Sequence, residues 1–106
     1  MISGSRMPIP ANARFEEFHR ANPHVYDTLV MLARQWVAST GRNKIGVAML
    51  YERARREIAI ATNDAEFRLN NDFRAYYARM IMRREPDLDG IFDLRRSAAD
   101  GWVAAA

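Results

Sequence analysis

Between Asn22 and Gly41 the sequence leaves little choice of structure. Val25, Leu29, Leu32 and Trp36 recur three and four residues apart, the spacing that lines one face of an α-helix, and Tyr26 and Ala33 widen the stripe. Pro23 suits the first helical position, where its missing N–H costs nothing, and Asn22 before it is a helix-capping residue type. Gly41 stands where a helix ends on a left-handed residue. A helix over residues 23–39 follows, and its one-sided apolar face requires other elements to cover it.

The rest of the chain supplies them. Residues 1–12 hold Gly4, Pro8 and Pro10 without periodicity and read as a disordered arm. A short helix over residues 13–21 is expected, capped by Asn12 and anchored by Phe15 and Phe18. After a tight connection, Asn43-Lys44-Ile45-Gly46, a helix over residues 46–61 buries Val47, Leu50, Tyr51, Ala54 and Ile58. Glu52, Arg53, Arg56 and Glu57 face water, and Met49 and Ile60 fall on that polar side, where a second packed surface would account for them.

A loop spans residues 62–66, and Phe67-Arg68-Leu69 then alternates as an extended segment. Asn70 and Asn71 lead into a helix over residues 72–84. Phe73, Tyr76, Tyr77, Met80 and Ile81 share one side of its wheel; Arg74, Ala75, Ala78, Arg79, Met82 and Arg83 occupy the other. Glu85 to Gly90 forms a stop and turn, and residues 91–96 read as a short strand or one helical turn. Ser97 begins a frayed tail in which Trp102 folds back. The expectation is one helical domain over residues 13–97 with a flexible tail at 98–106: mainly α, four helices, helix-turn-helix-like with a vestigial wing. Its core draws on Phe15, Phe18, Val25, Leu29, Leu32, Trp36, Val47, Leu50, Tyr51, Ile58, Phe73, Tyr77, Met80 and Phe92.

At 106 residues without cysteine, disulfides, zinc–thiolate sites and iron–sulfur clusters are excluded, and a reducing compartment fits. No apolar run reaches the roughly 20 residues that span a bilayer, so a cytoplasmic protein is expected. Known catalytic patterns are missing. Glu16-x-x-His19 is half of a carboxylate-bridged di-iron motif with no second copy. No Gly-x-Ser-x-Gly elbow occurs. Asp87-x-Asp89-Gly90 opens like a calcium loop, but its glycine comes at the fourth position and Ala98 stands where the twelfth-position glutamate belongs. A nuclease built on Pro86-Asp87 would need acids and a lysine nearby, and Lys44 is the single lysine. No cofactor and no enzymatic activity are expected.

Binding remains. Residues 42–84 hold ten Lys/Arg against five Asp/Glu, a local excess of +5 in a chain whose net charge is +3. Arginine's planar fork matches phosphate and carboxylate. As a helix-turn-helix, helix 46–61 would be the scaffold and helix 72–84 would enter the major groove of DNA. Arg68, Arg74, Arg79 and Arg83 would make the contacts, Arg42 and Lys44 would touch the backbone, and Ala75 and Ala78 would allow close approach. On this reading Arg74→Ala together with Arg79→Ala weakens DNA binding and leaves the melting temperature unchanged. The connection over residues 62–71 is longer than the turn such motifs use. The alternative is an effector that binds an acidic host protein, or a homodimer, through Met49, Ile60 and Met82.

Two stretches carry a resemblance. Phe15-x-x-Phe18-His19-x-x-Asn22-Pro23-x-Val25-Tyr26-x-x-Leu29-Val30-x-Leu32-Ala33-Arg34, and Phe67-x-Leu69-Asn70-Asn71 through Tyr77-Ala78-Arg79, resemble a family of small proteins encoded by bacteriophages and prophages. Glu85-Pro86-Asp87-Leu88 through Phe92-x-Leu94-Arg95 continues it, so the likeness spans about residues 15–97. The chain departs from that pattern at Arg56, where an aromatic residue often follows the arginine of the scaffold helix. The resemblance implies a phage or prophage origin and hence the bacterial cytoplasm. It brings no assigned activity and no functional residue, and it favours a host protein as the partner in the alternative reading.

Overall fold

The computed structural model describes residues 9–63 and 67–105, with side chains up to Trp102. Residues 1–8 of the expected arm, residues 64–66 of the expected loop and the end of the expected tail lie outside the described residues, and residues 11–12, also expected in the arm, belong to the first helix. Five α-helices follow in order: α1 Ala11–Ala21, α2 Pro23–Thr40, α3 Val47–Thr62, α4 Arg74–Arg84 and α5 Ala99–Ala105. Short 3-10 turns precede α4 at Asn71–Phe73 and follow it at Pro86–Leu88. The fold is mainly helical, with no strand among the described residues. No helix among them is long and apolar enough to cross a membrane.

The punctuation of α2 follows its sequence closely. Pro23 occupies the first turn, and Gly41 closes the helix at φ 69°, donating its N–H to Val37 O at 2.9 Å. The cap at the front works differently from expectation. The Asn22 side chain turns back and donates to Phe18 O at 3.0 Å, so it closes α1 instead of opening α2. Helix α1 begins two residues earlier than expected, with Pro10 rather than Asn12 at its N-terminal boundary. Asn70 does cap: its Oδ1 accepts from the Asp72 N–H at 2.9 Å and starts the turn that leads into α4.

Helices α2 and α3 pack against each other, and α4 lies against α2, α3 and α5. Phe15 of α1 is the hub. Its ring centroid lies 5.0 Å from Tyr76, 4.8 Å from Tyr77, 5.8 Å from Phe73 and 5.2 Å from Trp102, in stacked and edge-on arrangements. Each such pair adds about 0.5–1.5 kcal/mol beyond the burial of its area. Tyr51 and Arg55 of α3 hold the segment before α4: the Tyr51 hydroxyl donates to Asn70 O at 2.7 Å, and Arg55 donates to Leu69 O at 3.0 Å and Asn71 Oδ1 at 2.6 Å.

Two expectations at the C-terminal end are corrected. Residues 91–96 are neither strand nor helical turn, and there is no wing. The backbone of residues 91–96 is irregular: Ile91 donates its N–H to Leu88 O at 3.1 Å and accepts from the Ile45 N–H at 3.0 Å, with no ladder of further bonds among the described residues, and Ile91 and Phe92 are both buried. Nor is the described part of residues 98–106 a flexible tail. Ser97 Oγ accepts from the Ala99 N–H and Asp100 Oδ2 accepts from the Ser97 N–H, both at 2.9 Å, a reciprocal capping box that starts α5. Trp102 folds back as expected, and its indole N–H donates to Glu16 Oε1 at 2.6 Å.

Candidate functional site

The six cations expected to hold DNA do not share a face. Arg79 is buried, only 5% exposed. Its guanidinium donates to Asp100 Oδ1 at 2.8 Å, to Ala75 O at 2.9 Å and to Arg95 O at 2.7 Å, fastening α5 and the preceding segment onto α4. Ala78 beside it is fully buried. From Tyr76 to Ile81 every residue of α4 is buried, so the helix offers no base-reading surface around Arg79. The assignment of Arg79 as a nucleic-acid contact is therefore corrected. A helical wheel counts the residues of one helix only, and the acid that claims this arginine lies in a segment expected to be frayed.

Arg83 is exposed near the far end of α4, about 14 Å along the axis from Arg74 at 1.5 Å per residue. Arg68 is exposed ahead of the helix and donates to Phe67 O at 3.3 Å. Lys44 is taken up by Asp93 at 2.9 Å. Arg42 is exposed in the α2–α3 connection. Arg74 is half-buried at the first position of α4 and makes no ion pair or side-chain hydrogen bond among the described residues.

Two concave features stand out. The first is an open groove of about 430 Å³ between α2 and α3, lined by Leu32, Trp36, Ile45, Met49, Leu50 and Arg53, with Gln35, Ser39 and Thr40 at its rim. Trp36 keeps its indole N–H on Lys44 O at 2.9 Å, so the ring presents carbon with its polar atom already satisfied. Met49 is 51% exposed, and Ile60 on the same helix is 69% exposed. Met49, Arg53, Arg56 and Ile60 stand at i, i+4, i+7 and i+11, one continuous outer stripe of α3. Arg53 Nε donates to Glu57 Oε1 at 3.3 Å, an i, i+4 ion pair on the helix surface. Met82, expected to share this surface, is instead half-buried on α4 and packed against the core. Met31, 47% exposed one turn before Gln35, was missed; its place outside the α2 stripe was the legible signal.

The second feature is a cleft of about 420 Å³ where the start of α3 (Gly46, Val47, Ala48), the first turns of α4 (Arg74, Ala75, Ala78) and residues 93–97 meet. Small residues on α3 and α4 leave it open. The first turn of α3 has no side-chain cap, so its leading N–H groups have no partner from a capping side chain. Arg95 lines the cleft from residues 93–97 and makes no side-chain ion pair or hydrogen bond among the described residues. Asp93 at the edge is occupied by Lys44.

The other polar groups of note are structural. Arg34 of α2 donates to Glu85 Oε1 at 2.7 Å and bridges both oxygens of Asp87 at 2.9 and 3.0 Å, and the Tyr26 hydroxyl donates to Glu85 Oε2 at 2.7 Å. Asp87, which opened the calcium-like pattern, is thus the acceptor of an interhelical tie, and Arg34 holds its carboxyl below the usual carboxylate range. Glu16 and His19 diverge: Glu16 meets Trp102, while His19 stacks on Phe15 at 6.1 Å. Burial, and then the nearby Arg84 charge, lower the His19 pKa, and its Nδ1 has no partner among the described residues. The Tyr77 hydroxyl is also buried without one, and burial raises its pKa. Among the described residues no three His, Asp or Glu side chains converge as a metal site would require. Comparisons with protein-family models, with curated proteins and with solved structures return no match.

Proposed function

We propose that the protein is a non-enzymatic binding module of phage or prophage origin, acting in the bacterial cytoplasm, that holds an acidic amphipathic helix of a host protein in the α2–α3 groove. One observation carries this reading: the open apolar groove is continuous with an exposed stripe in which Met49 and Ile60 flank Arg53 and Arg56. Helix-in-groove recognition uses anchors at this spacing, with apolar side chains entering the groove. Arg56 makes no ion pair among the described residues, and a carboxylate from the partner would meet it and Arg53 at the centre of the contact. Those two arginines also argue against a second copy of α3 as the occupant, since antiparallel pairing would set Arg53 against Arg56.

Cross-linking from α3 in a host lysate, followed by mapping of the linked segment, tests the reading. The expected product is one host helix with apolar and acidic residues at matching spacing, lost on Met49→Asp. Linkage to many unrelated surfaces, or linkage indifferent to Met49→Asp, would refute it. Light scattering separates the homodimer alternative, which requires twice the monomer mass.

A second reading, contact with a nucleic-acid backbone, is supported by Arg74 and Arg95, two cations without an ion pair among the described residues that line one cleft from different elements. It differs from a groove-reading α4: the contacts lie at the start of that helix, and base edges are not involved.

A further inference from the structure

We propose that the cleft between the start of α3, the start of α4 and residues 93–97 is a phosphate-binding site. The inference rests on the second reading above for its oligonucleotide source and on the cleft itself for its chemistry.

Arg74 and Arg95 approach from different elements and carry no ion pair among the described residues. The acid that lines the cleft, Asp93, and Asp100 beside Arg79 are already committed. Asp93 is bound by Lys44 at 2.9 Å, and Asp100 is bound by Arg79 at 2.7 Å and by the Ser97 N–H at 2.9 Å. Two arginines without an ion pair among the described residues therefore share one concavity of about 420 Å³. A carboxylate would suffice for one arginine fork. Donors from separate elements suit a group with more acceptor oxygens set tetrahedrally, which is what phosphate offers. Gly46, Ala75 and Ala78 keep the floor low, so the anion can reach the uncapped first turn of α3, whose N–H groups reinforce the arginines. Phosphate can arrive as a small compound such as pyrophosphate or as the phosphodiester of a nucleic acid; the chemistry recognised is the same.

The full-length protein would be titrated with pyrophosphate and, separately, with a short single-stranded oligonucleotide, following backbone amides by NMR. Saturable shifts at Val47, Ala48, Arg74 and Arg95 are expected with at least one ligand, and the ligand saturating at the lower concentration identifies the source. Arg74→Gln with Arg95→Gln should weaken that binding at least tenfold at an unchanged melting temperature. Arg14→Gln with Arg20→Gln, which removes equal charge from α1, should leave it unchanged. No saturable shift at these amides with either ligand overturns the site. If the oligonucleotide binds wild type and the Arg74/Arg95 variant equally, the nucleic-acid reading stands and the cleft is not its site.

Discussion

Helices α3 and α4 both carry arginines at helical spacing, yet α4 is enclosed from Tyr76 to Ile81 while α3 buries one stripe and leaves Met49, Arg53, Arg56 and Ile60 in solvent. Sequence reading gives them opposite roles, with α3 as the scaffold and α4 as the presented helix. The difference lies in what surrounds them. Helix α4 has neighbours on several sides, because α1, α5 and the segment before α5 close over it. Helix α3 packs on α2 and α4 and has nothing over its outer face among the described residues. A cation on the polar side of a helix is free only if no acid elsewhere in the chain has claimed it.

The contrast can be broken most sharply at Phe15, whose ring closes α1 and α5 over α4. Phe15→Ala should cost about 3–5 kcal/mol, read as a fall in the urea midpoint; a change under about 1 kcal/mol would mean that α1 does not seal the core. Arg79→Ala comes next. It leaves Arg95 O and Asp100 Oδ1 without the Arg79 donor and should lose about 2–3 kcal/mol. Arg74→Ala should change stability by no more than about 0.5 kcal/mol. Equal, small effects at both arginines would restore the expectation of an outward-facing α4. Ala78→Leu should cost about 1–3 kcal/mol through overpacking, whereas a solvent-facing Ala78 would accept leucine without loss.

Acid sharpens the comparison on the α4 side. His19 packs against Phe15, Tyr26 and Tyr77, and burial, then Arg84, lower its pKa while Asp27 opposes them. Because its folded pKa is lowered, the unfolded chain takes up a proton first as pH falls below 6.5. Stability should therefore decline from pH 7 toward pH 5. His19→Gln should flatten that decline in urea titrations at the two pH values; an identical slope would place His19 in water. Asp100 and Asp87 act in a lower window. Their folded pKa values are depressed by the Ser97 N–H and Arg79, and by Arg34, respectively, so their contribution is present above the ordinary carboxylate value and lost only as pH falls through the depressed ones. The smallest effect belongs to α3. Met49→Asp with Ile60→Asp should leave the urea midpoint within about 0.5 kcal/mol per site while abolishing partner capture, and a large destabilisation would show that this stripe is part of the core.

Much of the fold was legible because its signals are local. Pro23 and Gly41 bracket α2, Asn70 starts the turn before α4, and the stripe Leu50, Tyr51, Ala54, Ile58 is buried as its spacing requires. Helix α5 has a local signal in the pattern Ser97-x-x-Asp100 of a capping box, which stands against the expectation of a frayed tail from Ser97. Of the candidate site residues, Met49 and Ile60 were identifiable by their misfit to the α3 stripe. Arg95 was not, since nothing in the chain's order places it in one cleft with Arg74.

The sequence by itself determined, to within a residue, the bounds of α2 and α3 and which side of each faces inward, because caps and periodicity act within a few residues along the chain. Only the tertiary structure decided that Arg79 is a buried clamp, that Ile91 and Phe92 both turn inward, and that Arg74 and Arg95 share a cleft. Those outcomes depend on contacts between residues 16 to 21 positions apart or on neighbours from other elements. A guanidinium is stable in water or in a fully satisfied interior, and which of the two it meets is set by what folds over it.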